Sequence, residues 1–154
     1  MDHVRTTAII GIMSLALALG GVVVGHLLLI PMLRGETALV DANLARALSQ
    51  PLAMRCAEVV LAASVLLAAV ARRWLPHRVG PTLALLAAGV AGIERLVLLP
   101  ELHEAWARVD LVAMRPLARI EVAEQLTLIH QACMGAMIVL LTGIAALACL
   151  RPKA

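Results

Sequence analysis

TTAIIGIMSLALALGGVVVGHLLLIPML, residues 6–33, carries no Asp, Glu, Lys or Arg, and its reading decides the fold. Its start resembles a signal peptide, with Arg5 followed by an apolar stretch and ALALG. The run continues to Pro31, well past the roughly 7–15 residues of a cleaved apolar region. It therefore reads as a retained helix, long enough to cover the ~20 residues that a membrane crossing needs. Three more runs, 51–70, 81–99 and 126–150, approach or exceed that length. The expectation is an all-α, four-transmembrane-helix bundle in which residues 1–154 form a single integral membrane domain.

Composition points the same way. Hydrophobic residues make up 62% of the chain and charged residues 15%. A soluble domain this short buries too small a fraction of its surface to hide so much apolar area. Lipid admits only helices and closed barrels, and runs of Ala, Leu and Val without Phe or Tyr favour helices. The only aromatic carbocycles, Trp74 and Trp106, each follow an apolar run, where an amphipathic ring settles at a bilayer interface. A net charge of +3 and the lack of aromatic platforms exclude nucleic acid as a partner. The partner so implied is the lipid bilayer. Cys56, Cys133 and Cys149 lie inside apolar runs without a CxxC and read as small hydrophobes.

Four crossings place both termini on one side. That side carries Arg5, Arg72, Arg73, Arg78, Arg151 and Lys153. The other carries Arg34, Arg46, Arg108, Arg115 and Arg119 among seven acids. The basic residues of the first side sit in short segments beside span ends, which the positive-inside rule weights most. Both termini are expected in the cytoplasm, with the chain in the cell (inner) membrane. The two outer connections read as amphipathic. Val40, Leu44, Ala47 and Leu48 share a face opposite Asp41 and Arg46, and Leu102, Trp106, Val109 and Ala113 share another. Such segments lie on the membrane or extend a span, as plain surface helices or as a cap over the bundle mouth.

The chain also echoes itself. GHLLLIPML at 25–33 aligns with ERLVLLPEL at 94–102, setting Pro31 on Pro100 and His26 on Arg95; LAR recurs at 44–46 and 117–119. This reads as two tandem helix pairs related by an axis along the membrane normal.

Ionisable residues inside spans are costly, face the interior and pair. Here His26 and Arg95 each lie five residues before a proline, Glu58 seven beyond Pro51, and His130 five beyond Gln125. At about 1.5 Å per residue, all sit roughly 8–10 Å inside the outer boundary. Arg55 and Glu94 join them within about a turn. One reading is a packing network: Arg55 and Glu58 share a helical face, adjacent Glu94 and Arg95 pair across helices, and the four formal charges cancel. A second reading is a ligand site. His26, Glu58, Glu94 and His130 supply one metal-ligand type per helix, or His26 and His130 hold a haem axially. A third uses His130, Met134 and Met137, spaced i, i+4 and i+7, with Cys133 beside them, as soft ligands for Cu(I), against plain core packing. A proton or small-solute path is the fourth. Gly21 and Gly25, with Ala88, Gly89 and Gly92, predict close helix approach. No phosphate loop, nucleophile elbow or dinucleotide fingerprint is present.

Gly20, Gly21 and Pro31 in the first span, Pro100 ending the third and IHQACMGAM around His130 resemble a four-helix family. It is classed as a domain of unknown function and related to transmembrane protein 205. That family is similar to the membrane domain of copper-resistance protein D. The resemblance covers nearly the whole chain and implies a metal-related or transport role. The chain departs from it in lacking Phe and Tyr. It also carries Cys133 and Ala136 or Met137 where the family has a Ser and an Asn. Two functions follow as expectations: binding or passing a metal ion or a proton at the polar layer, or a non-catalytic accessory role, as part of an oligomer or of a larger membrane complex.

Overall fold

The computed structural model describes residues 2–35, 41–75, 78–111, 113 and 116–150. Among them are four long helical rods and no strand. The rod α1 runs through Asp2–Gly20, a π-helical segment Gly21–Leu29 and a last turn Ile30–Gly35. The rod α2 is Ala42–Trp74. The rod α3 joins Val79–Ile93, a second π-helical segment Glu94–Leu98 and Leu99–Ala107. The rod α4 is Leu117–Cys149. All four are long and apolar enough to cross a membrane. Val40, Arg115, Arg151, Lys153 and the Arg34 side chain, used in the sequence argument, lie outside what is described.

Each rod packs on its neighbour in sequence, and α1 meets α4 along a shorter seam that closes the ring. The interior is built from Leu67, Met137 and Leu141, all at 0% exposure, with Ala84 and Ala87 from α3. Leu17, Leu66, Leu85 and Val139 point outward and are exposed. Large aliphatic side chains on the outer surface suit a protein whose solvent is lipid, and the small Ala84 and Ala87 let α3 approach the interior closely. The close approaches are real but fall mostly on one rod. A Cβ added at Gly21 would stand 2.6 Å from Val60 Cγ2, and one at Gly25 would stand 2.8 Å from the Cys56 sulfur, so α1 and α2 pack this tightly through glycine. On α3 the expectation fails at Gly89, where a Cβ would meet nothing within 4 Å; Ala84, Ala87 and Ala91 make the contact instead.

The rods outrun the apolar stretches that announced them. Pro51 was expected to open the second span, yet α2 starts at Ala42, capped by the Asp41 carboxylate, which accepts from Asn43 N at 3.0 Å. Tertiary contacts hold the nine residues ahead of Pro51. Asn43 Nδ2 donates to Asp110 Oδ1 at 3.1 Å, and Gln50 Nε2 donates to the His103 carbonyl at 3.4 Å. The first outer connection is thus an extension of α2. Leu44 and Leu48 face outward, while Arg46 turns in over the Trp106 ring at 4.0 Å.

Pro31 and Pro100 likewise do not end their helices. A proline lacks its N–H and crowds the carbonyl four residues back. Here the residue before each proline reaches back five residues: Ile30 N–H to the Gly25 carbonyl, and Leu99 N–H to the Glu94 carbonyl. The wide turn takes the proline into a continuing rod. These bonds occupy matching places in the internal echo, since Gly25 aligns with Glu94 and Ile30 with Leu99. The two rods share a backbone device as well as a string of letters.

Neither tryptophan is a free interfacial ring. Trp74 is 4% exposed and packs on Gly11, where an added Cβ would come 2.5 Å from the ring. Trp106 Nε1 donates to Thr127 Oγ1 at 3.0 Å and ties α3 to α4.

Candidate functional site

The six ionisable side chains of the predicted layer separate into two groups. On the outward flank of α2 and α3, Glu58 bridges two guanidiniums. Its Oε2 accepts from Arg55 at 2.8 Å and its Oε1 accepts from Arg95 at 2.7 Å. The Arg55 side chain is 81% exposed, Glu58 38% and Arg95 20%, so the cluster faces outward and carries a formal +1. The Arg55–Glu58 pairing on one face of α2 is as the spacing predicted, and Arg95 pairs across helices.

Glu94 lies inside the bundle at 2% exposure and pairs with Nδ1 of His130 from α4. Its other oxygen, Oε2, is buried. The Cys133 thiol, one turn from His130, faces the same carboxylate. The ring of His26, 7% exposed, packs on that of His130 with centroids 5.6 Å apart. Both inner groups depend on π-helical segments. His26 lies within the wide turns of α1, and Glu94 opens those of α3. Wide turns of this kind re-aim side chains and recur at functional positions.

Of the four-ligand set, the fold gathers His26, Glu94 and His130, and sends Glu58 to the arginines. Among the described residues, no group of three or more His, Cys, Asp or Glu has the geometry to hold a metal ion. Met134 and Met137, at 4% and 0% exposure, are core side chains. The network Arg55, Glu58, Glu94 and Arg95 is not one circuit, because Glu94 takes its partner from a histidine.

A cavity of about 320 Å³ opens beside the His26–His130 pair, within the range of small-molecule sites. The helix extensions form its outer end, with Arg46 from α2 and His103 and Trp106 from α3. Leu27 and Ile30 of α1 and Gln131, Met134 and Ile138 of α4 form its walls. Behind it, a void of about 10 Å³ touches His26 and Glu94; that is near the lower limit for a single water. Sequence reading missed Arg46 and His103 as wall residues because the second and third runs were bounded at Pro51 and Leu99; it missed Thr127 and Gln131, inside the fourth run, because neither is ionisable. The signal was present in the amphipathic pattern after Glu101, which put Leu102 and Trp106 on one face.

Fold and site together define a four-helix membrane bundle with a largely apolar cavity, edged by His26, His103 and His130, at the end capped by the α2 and α3 extensions. Comparison with family models, curated proteins and solved structures returns no match.

Proposed function

We propose that this protein binds a proton at the Glu94–His130 pair, whose histidine lines a cavity at the capped end of a membrane bundle. The supporting observation is a carboxylate at 2% exposure whose hydrogen-bond partner is an imidazole. A carboxylate stripped of water is too costly to keep charged without a compensating charge. The pair therefore carries one proton, as a carboxylate with an imidazolium or as an acid with a neutral imidazole. The proton belongs to the pair and not to either residue. Leu67, Met137, Leu141 and Ile144 fill the bundle toward the far end. That packing, interrupted only by the small buried Ser14 and Ser64 among the described residues, favours binding and release from the capped side over passage through the membrane.

The test is infrared difference spectroscopy of the protein in nanodiscs across a pH titration. A carboxyl or imidazole band should titrate in the wild type and in Glu58→Gln, and vanish in Glu94→Gln and in His130→Asn. A titration that survives Glu94→Gln would refute the reading.

A second reading, a metal ion, rests on one observation. His130 presents Nδ1 to a carboxylate, the arrangement that orients an imidazole to bind metal through Nε2, and the His26 ring is adjacent. Elemental analysis decides it: a stoichiometric metal, lost in His26→Ala plus His130→Ala, would replace the proton reading. A Soret band in the purified protein would point to haem. Kinship with the family related to transmembrane protein 205 is part of this proposal, supported by Gly20, Gly21, Pro31, Pro100 and His130.

A further inference from the structure

Most polar groups of the cavity wall are already engaged within the chain. Arg46 stands over the Trp106 ring at 4.0 Å, and His26 and His103 have partners of their own. Trp106 Nε1 donates to Thr127 Oγ1, which donates in turn to the Ala123 carbonyl at 2.8 Å. No Asp or Glu of the described residues lines the cavity. Two groups remain. His130 gives Nδ1 to Glu94 and keeps Nε2, and the Gln131 amide makes no hydrogen bond among the described residues. Leu27, Ile30, Leu99, Met134 and Ile138 make the rest of the wall aliphatic. The opening follows the α1–α4 seam, where Leu27, Gln131 and Gly135 are exposed, so a ligand enters from the lipid side. A wall with no spare charge selects a neutral ligand, because a charged one would lose its hydration without compensation.

We propose that this cavity binds a neutral, lipid-dissolved ring bearing carbonyl oxygens, of the para-quinone class. One carbonyl accepts from His130 Nε2, the other accepts from the Gln131 amide at the seam, and the ring lies among Leu27, Met134 and Ile138. The donor at His130 rests on the proton reading, since one proton on the pair leaves hydrogen on Nε2 in either form. An imidazolium carries both N–H groups, and a neutral imidazole that accepts from the Glu94 acid at Nδ1 keeps its hydrogen on Nε2. An alcohol could accept there too, but it would bring an O–H that the aliphatic wall leaves unpaired. A quinone brings acceptors alone, at two opposite edges. Size fits the class. At about 30 Å³ for each water in the liquid, 320 Å³ equals on the order of ten waters. A methylated ring of about that many heavy atoms fills the space, and a two-chain lipid does not fit.

Duroquinone provides the probe, with the protein in nanodiscs, read by quenching of Trp106 and by the infrared carbonyl stretch of the quinone. Trp74 packs on Gly11 of α1, outside the cavity lining, so the difference between wild type and Trp106→Phe isolates the signal. Quenching should saturate, and the carbonyl band should move to lower frequency on binding. Durene, the same methylated ring without oxygen, should displace the quinone on the order of tenfold more weakly than unlabelled quinone does. Replacing Glu94→Met together with His130→Leu removes the inner donor and should weaken binding on the order of tenfold or more. Gln131→Leu, at an exposed position, should weaken it less. Gly135→Leu provides a steric variant: a Cβ there meets nothing within 4 Å, so the fold tolerates the side chain while it fills the cavity, and saturable quenching should vanish. The titrating band of the ligand-free protein reports the proton reading separately. No quinone binding with that band present defeats this proposal alone; no band with the carbonyl shift intact defeats the proton reading alone. Equal displacement by durene, quenching that never saturates, or full quenching in Gly135→Leu would each overturn the quinone site.

Discussion

Glu58 and Glu94 stand on neighbouring helices in one slab of the bundle, and the fold gives them opposite circumstances. Glu58 is 38% exposed on its side chain, and both of its oxygens accept from guanidiniums. Glu94 is 2% exposed, with one oxygen on an imidazole and the carboxylate otherwise met by the Cys133 thiol. The first is neutralised by side chains that stay charged at any working pH. The second is neutralised only by a group whose charge is itself a proton. Equal formal charge at equal depth therefore does not mean equal surroundings: under the proton proposal, the carboxylate paired with an imidazole is the one that responds to pH.

Removing the partners is the most direct way to break that contrast. His130→Ala leaves Glu94 buried and uncompensated. Loss of one partner of a buried pair costs about 3–5 kcal/mol, so this variant should show the largest drop in thermal stability in detergent. A melting temperature near that of the wild type would mean that Glu94 is already held as the neutral acid. Replacing both partners, as Glu94→Met with His130→Leu, asks whether the pair serves packing or proton binding. Apolar replacement of a buried pair is often neutral or stabilising, by about 1–4 kcal/mol. The double variant should melt close to the wild type and lose the titrating infrared band. A collapse of the fold would show that the pair holds the bundle together.

The helix ends separate what was legible in the sequence from what was not. Four spans could be read because apolar length is a property of the chain alone. The layer could be read because an ionisable residue in an apolar run stands out. Its division could not: His26 and Glu94 sit in two π-helical segments that re-aim them inward, and the prolines that accompany those segments read as terminators. The echo between 25–33 and 94–102 did carry this information, since the wide turns fall at matching residues, but a match of letters does not reveal a change of hydrogen-bond register. Trp74 misled for a related reason. A tryptophan after an apolar run suits an interface, yet Gly11 on the opposing helix leaves a hollow that admits the ring. Its burial is a fact about two helices together.

Gly25 tests the wide turn from the other side of the comparison. It aligns with Glu94 in the echo and accepts the same reach-back bond, but contributes no side chain. Gly25→Ala would press a methyl against Cys56, with the sulfur 2.8 Å and Cβ 3.1 Å away. Overpacking of this kind costs about 1–3 kcal/mol. The pair Gly25→Ala with Cys56→Ala should recover most of that loss, because it removes the sulfur that is met first. No recovery would mean that α1 itself resists the substitution.

The smallest effects belong to the outward cluster, and they differ in a way that reports its construction. Arg95 reaches from α3 to Glu58 on α2 and is 20% exposed, whereas Arg55 shares a helix with Glu58 and is 81% exposed. A bridge between helices restrains two rods against each other; an i,i+3 pair on one helix restrains only side chains, and exposed pairs contribute little. Arg95→Gln should therefore lower the melting temperature by less than His130→Ala does, and Arg55→Gln should leave it at the wild-type value. If Arg55→Gln is as damaging as Arg95→Gln, the lipid-facing flank needs both cations. Glu58 would then be as dependent on its surroundings as Glu94, and the contrast between the two carboxylates would narrow to the proton alone.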